Sequence, residues 1–322
     1  MTPAARTPFR RILGTLALLC LPLLSTSGAS AARADDELVV ADQKGQQKAL
    51  LEAAGADRDL PYRIRWVEFE AAAPLLQALG AGAVDTGIAG DGPFLFAWGA
   101  GLPVKAAQLI PPRGGGRATA VVVSAGSAIR GLSDLSGRRV ATGRGSIGHL
   151  LLLRLIQTGA IPAPAPRIVF LAPAQAKAAL DSGGIDAWST WEPYVSLETV
   201  QNHGHVLADG AGLMPNNSFF VATDAALAHK HAELADFYRR VARAYAWGGG
   251  HQQDYAALLA RQTGLPQAVA QAVAQKLIAT PAAIDDTVVQ AERTTLQTYR
   301  SAGFLSSAGP FETAFDRSFT QP

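Results

Sequence analysis

A chain of 322 residues with 28 Lys+Arg against 26 Asp+Glu has a formal charge of only +2. Four of those arginines (Arg6, Arg10, Arg11, Arg33) fall in the first 34 residues, which hold no acid, so the rest carries 24 basic against 26 acidic residues, a formal −2. That balance offers no basic stripe for nucleic acid, and the single cysteine, Cys20, excludes a disulfide framework.

The N-terminus orders basic residues, an apolar run over 12–24 and small residues up to Ala34, the three regions of a secretory signal peptide. The run is too short to span a bilayer comfortably. Cleavage is expected after Ala34, with Ala31 as second choice. Cys20 leaves with the leader, and Leu19 before it is too bulky for lipoprotein processing. From there strand and helix patterns alternate. Residues 37–41 read as a strand and 45–55 as a helix, while 62–69 alternates with the period of a half-exposed strand. A helix at 72–79 and a strand at 84–89 follow, and Pro93 opens a helix at its favoured first-turn position. Strands at 104–110 and 118–124 flank a proline- and glycine-rich turn. The pattern restarts at Arg138 with a short strand, a glycine turn and an apolar helix opening near Ser146. A stiff proline connector at 161–166 leads to a strand at 167–171, and further strands read at 185–190, 205–208 and 218–222. Beyond Asp224 the chain is helical, over 225–247, 252–262, 266–278 and 285–301. The alternation predicts an α/β class, with parallel or mixed sheets covered by helices. No later segment is long and apolar enough to be transmembrane.

The turn at Gly143, Gly145 and Gly148 carries the strongest local chemistry. Glycines let backbone N–H groups approach a ligand closely, and a helix start leaves N–H groups unpaired where its dipole favours negative charge. The same spacing spells Gly-x-Gly-x-x-Gly, but a dinucleotide site requires an acidic residue about 20 positions on. The next strand instead runs into Ala172-Pro173-Ala174. An anion site is therefore preferred, with no cofactor.

Six motifs occur in order: Asp42-Gln43-Lys44-Gly45, Trp66-Val67-Glu68-Phe69, Gly90-Asp91-Gly92-Pro93, Arg144-Gly145-Ser146-Ile147-Gly148-His149, Leu171-Ala172-Pro173-Ala174, and Asp186 through Tyr194. Together they resemble the periplasmic aliphatic sulfonate-binding proteins of ABC importers, a group close to the taurine- and nitrate-binding proteins. The resemblance is strongest over 38–222. It implies a two-lobed type II periplasmic binding fold with two crossing strands and a ligand cleft, a small organosulfonate ligand, an inner-membrane permease as partner and a monomeric receptor. Lobe 1 is expected over 35–122 and 220–322, lobe 2 over 123–219. Departures from the pattern stand at Gln46, Phe94 and Gly148.

Three helix starts follow strands, near Gly45, at Gly92-Pro93 and at Ser146, where α/β sheets place ligands. The expected ligand-binding set is Gln43, Gly90, Asp91, Gly145, Ser146, His149, Trp191, Glu192 and Ser218. Within it Ser146 also suits an N-cap, His149 a structural histidine, and Asp91 a helix cap, because a carboxylate repels a sulfonate. Trp191 is expected to wall the alkyl chain, and Trp188 and Phe94 to be core. The anion is expected on backbone N–H groups and Ser146 rather than on a cation. The runner-up is a taurine, nitrate or other small-anion receptor of the same fold; an exported enzyme using Ser146 and His149 is a more distant alternative, since no Gly-x-Ser-x-Gly elbow occurs. The pairs His203/His205 and His229/His231 lack a third metal ligand.

Overall fold

The computed structural model describes residues 37–113, 115–306 and 309–319; the leader expected at 1–34 lies outside them. The first half runs β1 (Glu37–Gln43), α1 (Gln46–Ala53), β2 (Arg63–Phe69), α2 (Ala72–Gly80), β3 (Thr86–Gly90), α3 (Asp91–Gly99), β4 (Val104–Ile110) and β5 (Thr119–Val123). The second continues with β6 (Arg139–Thr142), α4 (Ile147–Gln157), β7 (Arg167–Phe170), α5 (Pro173–Asp181), β8 (Ala187–Trp191), α6 (Tyr194–Ser196) passing into a π turn (Leu197–Gln201), β9 (His205–Asp209) and β10 (Ser218–Thr223). Helices α7 (Asp224–His229), α8 (His231–Gly250), α9 (Gln252–Thr263), α10 (Gln267–Leu277) and α11 (Asp286–Ser301) complete it.

Two five-stranded sheets form, in the orders β2-β1-β3-β10-β4 and β7-β6-β8-β5-β9. Each is parallel except for one inserted strand: β10 runs antiparallel to β3 and β4, and β5 antiparallel to β8 and β9. The chain thus crosses between sheets twice, over 111–118 and 210–217. The crossings touch: Asn216, at φ 57, donates from Nδ2 to the Gly210 carbonyl (3.2 Å), and a Cβ on Gly116 would lie 2.4 Å from that nitrogen. This is the two-lobed α/β architecture expected. The expected limits at 122/123 and 219/220 fall inside β5 and β10, whereas each strand pairs wholly within one sheet, because a register cannot be shared between lobes.

Both faces of each sheet are covered, which is why the central strands read as continuous apolar runs. In the first sheet Leu38, Val40 and Phe220 pack under α1, α8 and α9, while Val39, Ala41 and Phe219 pack under α2 and α3. In the second, Val121 and Val140 meet α4, and Ala120, Val122 and Trp188 meet α5 and α6. The C-terminal helices serve both lobes, since α11 packs on α3 and α4, and α10 on α6 and the π turn.

Two helical details differ from expectation. The helix expected over 225–247 is broken at Lys230, whose non-helical backbone lets Nζ donate to the Glu37 carbonyl (2.8 Å) and Asp85 (2.7 Å). Helix α5 was not foreseen, although Pro173 at its first turn and its alanine-rich body are helix signals.

Candidate functional site

Between the two sheets lies a cleft of about 450 Å³. Its walls are the segments that follow the carboxyl ends of the parallel strands, the position α/β sheets reserve for ligands. Gln43, Gln46, Glu70 and Gly90 come from the first lobe; Gly143 to Ile147 (Gly145 excepted), Phe170 and Trp191 come from the second.

Six of the nine expected ligand residues line the cleft: Gln43, Gly90, Ser146, Trp191, Glu192 and Ser218. Gln43 donates one Nε2–H to the Ile88 carbonyl (2.9 Å). That bond fixes the amide's orientation and leaves its other N–H and its oxygen. Gly90 is where the lobes approach, since a Cβ there would lie 3.7 Å from the Ile147 Cβ. Ser146 caps α4 by accepting from the His149 backbone N–H (3.1 Å), and Thr142 Oγ1 lies 3.2 Å from its Oγ. The Ser146 carbonyl accepts from the Tyr299 hydroxyl (2.9 Å), tying this helix start to α11. Trp191 stands edge-on to Tyr194, while Trp188 and Phe94 are buried core as expected.

Three of the nine are not brought to the cleft. The Gly145 N–H donates to His149 Nδ1 (3.1 Å), and at φ +69 a Cβ on Gly145 would lie 2.6 Å from the Phe96 ring. His149 is fully buried, edge-on to Phe170 and Phe304. Because a backbone N–H can only donate, Nδ1 must accept, and the neutral ring carries its proton on Nε2. Among the described residues Nε2 has no hydrogen-bond partner, and the Phe304 ring stands perpendicular to the imidazole with the centroids 4.5 Å apart. Burial depresses the His149 pKa to about 4, and the nearby Arg144 charge adds to the effect. This histidine braces the glycine turn.

Asp91 is also fully buried. It accepts from the Gly92 N–H (2.6 Å) and the Asn217 N–H (3.0 Å), while its own N–H goes to the Asn217 carbonyl (2.8 Å). It ties the start of α3 to the returning strand, and desolvation raises its pKa to about 7. With Pro93 lacking an N–H, α3 has no early donor left for a ligand. Glu292 lies behind it and accepts from Asn217 Nδ2 (2.8 Å); burial and then the Asp91 charge hold its carboxyl well above the usual range.

The carboxylates on the cleft wall are committed as well. Asp42, which opens the first motif, accepts from the Gln47 (3.1 Å) and Lys48 (2.9 Å) N–H groups at the start of α1, and burial raises it to about 7. Glu70 reaches across the cleft to accept from the Ala174 N–H of α5 (2.9 Å), and its carbonyl accepts from the Tyr194 hydroxyl (3.3 Å). Glu192 touches the cleft, but Oε1 accepts from Lys276 Nζ (2.6 Å) and the Ser196 hydroxyl (2.9 Å), and Oε2 from the Ser196 N–H (3.2 Å). The expected ligand role for its carboxylate thus gives way to an interlobe ion pair.

Among the described residues, two helix starts on the cleft wall have no acid in their first turn and no carboxylate bonded to their N–H groups: α2, whose Ala72 and Ala73 line the cleft directly after Glu70, and α4. At α4 Ser146 takes the third N–H, and those of Ile147 and Gly148 have no intrahelical acceptor. Beside it the Arg144 guanidinium stacks 4.2 Å from the Phe170 ring centroid. Cations therefore border the cleft, although the sequence places the anion on backbone N–H groups and Ser146 rather than on one of them. Arg113 also lines it but turns to the Ile278 carbonyl (3.1 Å), and Lys276 is held by Glu192. Among the described residues no group of three or more His, Cys, Asp or Glu forms a metal site.

The family described as NMT1/THI5 like matches residues 65–254. A protein of Escherichia coli (strain K12) named "Putative aliphatic sulfonates-binding protein" is 33% identical over 257 residues, 79% of this chain and 80% of its own length. Among solved structures, the alkanesulfonate-binding protein SsuA of Xanthomonas axonopodis pv. citri bound to MOPS superposes with a TM-score of 0.79 at 29% identity, covering 88% of this chain and 99% of that one. The periplasmic aliphatic sulphonate binding protein SsuA of Escherichia coli gives 0.76 at 27%, covering 89% and 94%.

Proposed function

The chain belongs to the NMT1/THI5-like family, and from that premise we propose that it is a periplasmic receptor that binds an aliphatic sulfonate and hands it to a membrane ABC importer. It works as an exported monomer, residues 1–34 being its leader. The observation that carries the reading is the start of α4, which opens uncompensated into the interlobe cleft. The sulfonate sits there, on the Ile147 and Gly148 N–H groups and the Ser146 hydroxyl. Ser146 can donate its proton to the anion while still accepting from His149 N–H, so capping and binding are compatible. Trp191 and Phe170 wall the organic part. The lobes, 37–110 with β10 and the C-terminal helices against β5–β9, close on the ligand because only the closed state offers contacts from both.

A receptor rather than an exported hydrolase is favoured by the histidine. With Nδ1 occupied by the Gly145 N–H and Nε2 already carrying the ring proton, the His149 ring cannot take a proton from Ser146 Oγ. A taurine or nitrate receptor is disfavoured by size, because a cleft of about 450 Å³ suits a larger organic ligand than either.

Calorimetry on the mature protein with propane- to octanesulfonates, taurine and nitrate tests the reading. An alkanesulfonate is expected to bind with taurine and nitrate weaker. Ser146→Ala removes a hydrogen bond to a charged group and weakens binding by roughly 1.5–3 kcal/mol, with Arg144→Ala costing less. Loss of binding in Arg144→Ala with Ser146→Ala intact would replace the helix start with a guanidinium clamp. Absence of any sulfonate binding overturns the function itself.

A further inference from the structure

Two adjacent glutamines open α1, and both are more than nine-tenths buried: Gln46 is 8% exposed and Gln47 6%. Their side chains are treated differently. Gln47 Oε1 accepts from the Tyr245 hydroxyl (3.0 Å), whereas the Gln46 amide lines the cleft and has no protein partner among the described residues. Its backbone is not loose, since the Gln46 carbonyl accepts from the Tyr255 hydroxyl (3.3 Å) of α9. A fixed backbone thus presents an unpaired primary amide, with two donors and an acceptor, to the ligand space. Next to it Gln43, locked by its bond to Ile88, offers one more N–H and a carbonyl oxygen.

We infer that this amide pair is a second recognition point, which selects sulfonates carrying an uncharged hydrogen-bonding group, such as a hydroxyl, at the end of the chain remote from the sulfonate. The inference rests on the preceding assignment of the anion to α4. Electrostatics separates the two ends. The start of α1 already holds the Asp42 carboxylate on its Gln47 and Lys48 N–H groups, so a second anion there meets a like charge. The starts of α2 and α4 both lack an acid in their first turns, but α2 follows directly on Glu70, whereas α4 has Arg144 beside it. The charged group therefore belongs to the second lobe, and the neutral amides of the first lobe meet whatever the other end carries. A methyl group there displaces water from the Gln46 amide and leaves it unsatisfied, whereas a hydroxyl, as donor and acceptor, restores its bonds.

The test compares ω-hydroxyalkanesulfonates of two to six carbons with the alkanesulfonates that carry a methyl in place of the hydroxyl, by calorimetry on the mature protein. At the chain length that spans the cleft, the hydroxy ligand is expected to bind at least tenfold tighter than its methyl counterpart. In Gln46→Met, which keeps the side-chain length and removes both polar atoms, that ratio falls below twofold. Gln46→Ala serves as the second variant and gives the same loss; neither removes a protein hydrogen bond of the side chain, so both should fold. Equal or tighter binding of the methyl ligands at every length, or a ratio that survives both substitutions, overturns the inference and leaves the receptor intact. If no sulfonate of either series binds, the receptor reading fails and this inference with it.

Discussion

Lys276→Met cuts the ion pair that joins the helical C-terminal third to the second lobe. Its partner Glu192 is 4% exposed and keeps two bonds from Ser196 after the change, at 2.9 Å and 3.2 Å. Breaking a fully buried pair by removing one partner costs about 3–5 kcal/mol. Here the lysine side chain is 29% exposed and cleft water can reach the vacated carboxylate, so screening lowers the figure. One charge-assisted hydrogen bond, about 2 kcal/mol, is the better magnitude. For a chain of this size each kcal/mol moves Tm by roughly 2 °C, so scanning calorimetry should show a fall of about 4 °C. The sign of a second change makes the test sharp. Glu192→Gln alone also destabilises, but Lys276→Met/Glu192→Gln leaves no buried charge unpaired, and should melt above Lys276→Met. A double variant that melts at the sum of the two single losses, or a Lys276→Met protein with an unchanged Tm, would refute the coupling.

The other expectations concern the core behind the cleft. In Gly148→Ala the new Cβ would lie 2.3 Å from the Ser189 carbonyl oxygen, so α4 must move off β8; a loss of about 2–3 kcal/mol is expected by urea denaturation, and unchanged stability would show that α4 can slide. Glu292→Gln keeps the acceptor for Asn217. Because the native glutamate holds its proton where the unfolded chain has released it, its contribution to wild-type stability falls as pH rises above about 4.5 and is absent from the variant, so the variant should gain on wild type from pH 5 upward. His149 has the opposite sign. Its pKa is about 4 folded against 6.5 unfolded, so it withdraws roughly 3 kcal/mol of stability as pH falls from 6.5 to 4. His149→Phe, which loses the acceptor for Gly145 N–H, should be clearly destabilised at pH 7 and approach wild type near pH 4; a pH-independent gap would contradict the buried neutral imidazole.

The elements were legible because their physics is local. Strands β1 and β5 are short β-branched or apolar runs, Pro93 and Ser146 mark helix starts, and the loops after strands point at the cleft by topology, which is why Gln43, Gly90, Ser146 and Trp191 reach it. What spacing could not reveal is where each polar group spends its bonds. Gly145 and His149 carry the donors an anion needs, but they satisfy one another at 3.1 Å. Lys276 stands 84 positions from Glu192, in a helix whose sequence shows only an amphipathic pattern, so no local signal announces the pair. Gln46 was visible as an odd residue. Its role depends on Tyr245 partnering Gln47 and leaving Gln46 unpartnered, a fact of packing.

The same accounting reshapes the electrostatics of the cleft. Read from the sequence, three helix starts converge their positive ends on one anion. In the structure α1 is answered by Asp42, and α3 by Asp91 together with the Asn217 carbonyl and the missing N–H of Pro93. A fourth start, that of α5, is answered by Glu70 from the facing lobe. Each of these acids already occupies the place a ligand anion would take, and a helix dipole acts only within about its first turn. Among the described residues, two starts on the cleft wall remain without an acid in their first turn, α2 directly after Glu70 and α4 beside Arg144. The acid beside α2 and the cation beside α4 favour the proposed orientation, in which the anion sits at the start of α4 and the organic part extends toward the apolar and amide lining of the first lobe.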